Sequence, residues 1–182
     1  MPITYRTITS PTPADIQRII WFQCAFMGWE KEDLLEMEER YGAVPFGYVV
    51  AEDNGHLVGV GNLHERDIVF EGVTVKLGGL GGGCVHENYR HQGIATRLLE
   101  LRMDELRKRN CDVAYLCTNI EKLETLFAAV GFKPLGKDTI TTGKSGRKYY
   151  SRDGMIAPLL SQRIFDLIMN ESSPLDLQGS DW

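Results

Sequence analysis

The chain has no long apolar run. Nothing in it approaches the roughly 20 apolar residues that cross a bilayer. The opening Met1-Pro2-Ile3-Thr4-Tyr5-Arg6 also lacks the apolar core of a signal peptide. Basic clusters are missing as well. Lys and Arg number 20 against 25 Asp and Glu, for a net charge of −5, which argues against a general nucleic-acid binder. Cysteine is sparse, and Cys24, Cys84, Cys111 and Cys117 form no Cys-x-x-Cys pair. They read as free thiols in a reducing compartment, with Cys84 and Cys117 in buried strands. His56, His64, His86 and His91 lack the i,i+4 pairing of a helical metal site, so no metal is expected. Neither G-x-G-x-x-G nor G-x-x-x-x-G-K-S/T occurs, which removes two common nucleotide loops. A soluble, cytoplasmic protein with no membrane or nucleic-acid partner is expected.

What is present fits one domain spanning residues 1–182, with 43% hydrophobic and 25% charged residues. Alternation and β-branched residues predict strands at 3–9, 46–53, 56–70, 73–85, 112–118 and 148–160. Asn54-Gly55 and Glu71-Gly72 are hairpin turns. Helical periods predict helices at 13–27, 31–41, 91–109, 121–130 and 161–170. In the first, Ile16, Ile19, Ile20 and Gln23 or Cys24 face inward. In the second, Leu34, Leu35 and Met37 do so, with acids from Glu30 to Glu39 outside. The helix after residue 91 buries Ala95, Leu98, Leu99, Met103 and Leu106 and exposes Arg97, Glu100, Arg102, Arg107 and Lys108. Residues 136–146 read as a mobile loop.

Two features call for a function. The strand at 73–85 carries Gly78, Gly79, Gly81, Gly82 and Gly83. Glycine weakens a strand interior, so either a bulge or a closely approaching partner must explain them. Directly after comes Val85-His86-Glu87-Asn88-Tyr89-Arg90-His91-Gln92-Gly93-Ile94-Ala95, an R-x-x-G-x-A turn at a helix start. A helix N-terminus offers free N–H groups and the positive end of its dipole, which together form an anion site. Gly93 lets a phosphate approach the backbone, and Ala95 keeps the next turn slim.

This turn resembles the acyl-CoA pyrophosphate loop of the GNAT superfamily of N-acetyltransferases, on Val85, Tyr89, Arg90, Gly93, Ala95, Leu98 and Leu99, although Glu87 or Asn88 stands where proline is common. Phe127-x-x-x-Gly131-Phe132 is similar to a second motif of that family, in which tyrosine is usual at the first position. The resemblance implies an α+β fold. Its mixed, mostly antiparallel sheet has splayed central strands and flanking helices. It further implies acetyl-CoA as cosubstrate, held by Cys84, Val85, Arg90, His91, Gln92, Gly93, Ile94, Ala95 and Thr96, and transfer of the acetyl group to a primary amine within a ternary complex. The Val85 N–H is the expected oxyanion donor.

An alkylamine has a pKa near 10.4, so a base or a desolvating site must free it of its proton. Glu65, His64, Asp138 and the Trp182 carboxylate are candidates. Phe127 has no proton for the departing thiolate, so Tyr115, Cys117, Tyr149 or Tyr150 would have to serve, or the thiolate leaves unaided. The Gly179-Ser180-Asp181-Trp182 tail is similar to that of aminoglycoside 2′-N-acetyltransferases. With the acidic run, it implies a small cationic acceptor held by Asp181 and Trp182. A non-catalytic acyl-CoA-binding module is the alternative. Pairing of two copies through exposed strands stays open.

Overall fold

The computed structural model describes residues 2–26 and 38–182. The helix expected at 31–41 falls largely outside them, although residues 38–40 are helical. Strand β1 (Thr4–Ile8) leads to helix α1 (Pro13–Phe26). Thr12 starts that helix: its hydroxyl accepts from the Asp15 N–H, and the Asp15 carboxylate accepts from the Thr12 N–H. The buried stripe is Ile19, Phe22 and Gln23. Ile20, expected inside, is exposed, and of the two alternatives Gln23 and Cys24 it is Gln23 that is buried.

Strands β2 (Gly47–Asp53), β3 (His56–Phe70) and β4 (Val73–Val85) form an antiparallel meander. Both hairpin turns take left-handed backbone at their two central residues: φ is 50° at Asn54 and 80° at Gly55, 49° at Glu71 and 74° at Gly72. That conformation matches the twist of the flanking strands.

A short 3-10 turn (Glu87–Tyr89) then leads to α2 (Ile94–Lys108), β5 (Val113–Cys117) and α3 (Ile120–Ala128). The chain ends in β6 (Lys133–Pro134), β7 (Thr139–Thr142), β8 (Lys148–Ser151), β9 (Gly154–Pro158), α4 (Gln162–Asn170) and β10 (Leu175–Asp176).

The main sheet runs β1-β2-β3-β4-β5-β9-β6, with β4 and β5 its parallel pair. This is the expected α+β architecture. Alternation along β5 sends Ala114 and Leu116 into one apolar cluster with α2, and Val113 and Tyr115 into another with α4. Both faces of the sheet are therefore covered.

Three sequence expectations need correction. The 136–146 segment is not simply a loop: Thr139–Thr142 is β7, which pairs with β8 on one side and β10 on the other in a second, small sheet. Its β-branched run buries Thr139 and Thr141 on one face. The strand expected at 148–160 is two strands in different sheets, broken at Arg152 and Asp153. Arg102 is buried, at 5% exposure. It continues the inward stripe of Leu98 and Leu106 at i+4 spacing. Among the described residues, no helix is long and apolar enough to cross a membrane.

Candidate active site

Strands β4 and β5 pair only from Leu77–Gly79 to Val113–Tyr115. Beyond that point they diverge, and the gap opens a cavity of about 780 Å3. Leu80 to Gly83 form one wall, Leu116 to Thr118 the other, and Phe127 of α3 lies between. A recess of about 130 Å3 continues along Gly83, Cys84 and Val85 to Ala95 and Leu98 of α2. Gly83, Arg102, Leu123 and Phe127 line both spaces.

The glycines of β4 do two jobs. The pairing of β3 with β4 slips between Val60 and Asn62, and Gly82 has φ of 53°. This is a bulge, which Gln23 holds by donating to the Gly82 carbonyl at 2.6 Å and to Asn62 Oδ1 at 2.9 Å. The others admit neighbours. A Cβ on Gly78 would meet Leu106, and one on Gly79 would meet the Trp182 indole.

At the far end of the recess, Arg90 donates from Nε to the Val85 carbonyl at 3.2 Å, and Tyr89 donates to Asp53 at 2.8 Å. His91 (φ 61°) and Gly93 (φ 79°) turn the chain into α2. Gly93 is the N-cap of that helix and supplies no side-chain cap, and no acid lies in the first turn. The first-turn amides of Ile94, Ala95 and Thr96 therefore start a helix with its positive dipole end uncapped. The Ile94 side chain is buried in the core, so only its backbone faces the turn. Since the His86 N–H bonds to Val58 across the β3 edge, strand alternation turns the Val85 N–H toward the open side.

Two neighbours on β3 point opposite ways. His64 is 3% exposed, lines the cavity and stacks on Trp182 with ring centroids 5.6 Å apart. Neither of its ring nitrogens makes a hydrogen bond. Burial, and then the charge of Arg66, depress its pKa to about 3. It is a neutral imidazole at any ordinary pH. Glu65 faces the other side, where Arg109 binds its carboxylate and Lys76 lies 3.5 Å away. Arg109 holds its pKa low. Paired and absent from the cavity wall, Glu65 is not placed to serve as base.

Tyr115 is likewise misplaced for proton donation into the cavity. Its ring is fully buried against Trp182, and its hydroxyl donates to Thr139 at 3.3 Å. Of the other candidates, Asp138 pairs with Arg152 on the surface, while Cys117 does line the cavity.

The tail docks. Arg66 donates to the carbonyls of Leu177 and Ser180, each at 2.9 Å, and lies over the Trp182 ring. Trp182 forms part of the cavity wall, with its main-chain carbonyl group against Gly81. Asp181 is 3% exposed and is not in the wall. Its carboxylate accepts from the Trp182 N–H, and burial raises its pKa. Asp181 therefore secures the tail rather than reaching a substrate. Most of the acid-rich run, Glu30, Glu32, Asp33 and Glu36, lies outside the described residues. Among the described residues of the cavity lining, Glu38 is the one acid, paired with Lys144 at 3.0 Å, against Arg40 and Arg102.

Fold and site together have the form of an acyltransferase. An acetyltransferase (GNAT) domain model matches residues 7–121, and the chain belongs to that family of N-acetyltransferases. Among solved structures it is similar to the GNAT family N-acetyltransferase YhbS from Escherichia coli in complex with CoA. That likeness has 18% identity, 96% of this chain and 88% of that one, and a TM-score of 0.62. It is similar to E. coli ElaA at 13% identity, over 86% and 99% of the two chains, TM-score 0.62. It also resembles Eis1 of Mycobacterium abscessus at 17% identity and a TM-score of 0.53, over 76% of this chain but only 32% of Eis1. No curated protein matches the sequence.

Proposed function

We propose that the protein uses acetyl-CoA to acetylate a primary amine on a small molecule, by direct attack within a ternary complex. The observation that carries this reading is the gap between β4 and β5, which runs from the uncapped start of α2 to a cavity large enough for an acceptor. The coenzyme pyrophosphate lies on the amides from Gly93 to Thr96, with Arg90, His91 and Gln92 around it. The pantetheine arm follows Cys84 and Val85, and the Val85 N–H receives the thioester oxygen as charge develops on it.

The amine approaches from the main cavity. His64 offers an unprotonated ring nitrogen there, and the Trp182 carbonyl adds an acceptor on the same wall. An imidazole held near pKa 3 is a poor base for an ammonium ion. The site works instead by admitting the free amine, because burial in the cavity disfavours the charged ammonium form. The proton released on attack passes to cavity water.

The test is release of free thiol from acetyl-CoA, with and without a panel of polyamines, aminoglycosides and amino acids. Amine-dependent release supports transfer, and the responding amine names the acceptor class. CoA binding without release by any amine would sink the proposal in favour of a binding module.

A further inference from the structure

Arg102 is a buried cation with no carboxylate partner among the described residues. Its guanidinium contacts are the carbonyls of Leu98 and Gly81, both at 3.4 Å, the long edge of hydrogen bonding. Burial brings its pKa down to about 10, so it stays charged at neutral pH. Burying such a charge without a counter-ion is costly. The fold nevertheless makes room for it. A Cβ on Gly61 would lie 2.5 Å from the guanidinium carbon, and one on Gly83 would lie 3.4 Å from Nη2.

The place it occupies is specific. Arg102 lines both the acceptor cavity and the recess along Cys84 and Val85. Among the described residues that line the recess, Cys84 is the only other ionisable side chain, and Phe127 faces the same space without a hydroxyl. Burial pushes the Cys84 thiol up to about 12, against the pull of Arg102. A free thiol titrates near 8.5, so Cys84 cannot usefully protonate a departing thiolate. His64, neutral, has no proton to spare.

We propose that Arg102 is the positive charge against which the coenzyme thiolate leaves, in place of a proton donor. This rests on the acyl-CoA reading above. The amine lone pair bonds to the thioester carbon, and the carbonyl electrons move to oxygen. The adduct then collapses, and the C–S bond breaks with its electron pair on sulfur. Products are the amide, the thiolate beside Arg102, and a proton lost from nitrogen to water. The titratable groups lining the two spaces beside Arg102, among the described residues, are Cys84, His64, Tyr41, Tyr48, Cys117, Glu38 and Arg40.

The test titrates the thiol of CoA bound to the protein, read by ultraviolet thiolate absorbance. The bound thiol should ionise at least one pH unit below the free value of about 8.5. In Arg102→Met it should return to that value or rise above it, with Arg102→Lys between. At neutral pH, CoA should also bind the unaltered protein several-fold more tightly than desulfo-CoA. That comparison, with Arg102→Lys, carries the test should Arg102→Met fail to fold. A bound thiol titrating at or above the free value in the unaltered protein overturns the proposal. So does a bound thiol unchanged in Arg102→Met. Absence of any CoA binding would instead overturn the acyl-CoA reading itself.

Discussion

The Trp182 indole occupies the space that a side chain at Gly79 would need: a Cβ there would collide with the ring. The glycine in the middle of β4 and the tryptophan in the tail are one structural unit. Gly79→Ala should therefore destabilise the protein by about 1–3 kcal/mol, the usual cost of overpacking. In a Trp182→Ala background the same change should cost almost nothing. Urea unfolding of the four proteins of this cycle measures the coupling.

His64 makes stability depend on pH. Its folded pKa of about 3 lies below the ordinary 6.5. Above 6.5 neither state binds its proton. As pH falls below 6.5 the unfolded chain takes up a proton that the folded one refuses, so stability drops, by at most about 1.4 kcal/mol per pH unit. Asp181, raised by burial, contributes with the opposite sign at pH values above 3.8. His64→Gln should flatten the slope between pH 6.5 and 5, measured as the unfolding midpoint in that window. An unchanged slope would place the titration elsewhere.

Gly93 has φ of 79° and open space where a Cβ would go. Gly93→Val strains the turn and fills that space. CoA affinity should fall at least tenfold by calorimetry, with a stability loss of only about 1–2 kcal/mol. Equal affinity would move the phosphates away from this turn.

Glu65→Gln should leave thiol release at its original rate, because the carboxylate serves Arg109 and Lys76 outside the cavity. Its cost to stability should stay within about 1 kcal/mol, as for an exposed ion pair. A drop in rate with acceptor KM unchanged would return Glu65 to the chemistry.

Much of this was legible locally. The Arg90-to-Ala95 turn, the hairpins at Asn54-Gly55 and Glu71-Gly72, and the α2 stripe each depend on residues a few positions apart. What depends on partners distant in sequence was not. Alternation says that His64 and Glu65 point opposite ways but not which one meets the cavity. That choice is fixed by Trp182 and Arg109, far away in the chain. Arg102 sits on the Leu98–Leu106 stripe, yet its charge suggested solvent. Its burial rests on Gly61 and Gly83 of two other strands. The two small strands of β10 and β6 are too short to carry a period at all.

The most direct measurement of the central claim follows backbone amide resonances as CoA is added to the protein. The account predicts that the largest shifts fall on Gly93, Ile94, Ala95 and Thr96 and on Cys84 and Val85, with smaller ones at Gly82 and Gly83. Shifts confined to other surfaces, or none at saturating CoA, would contradict it.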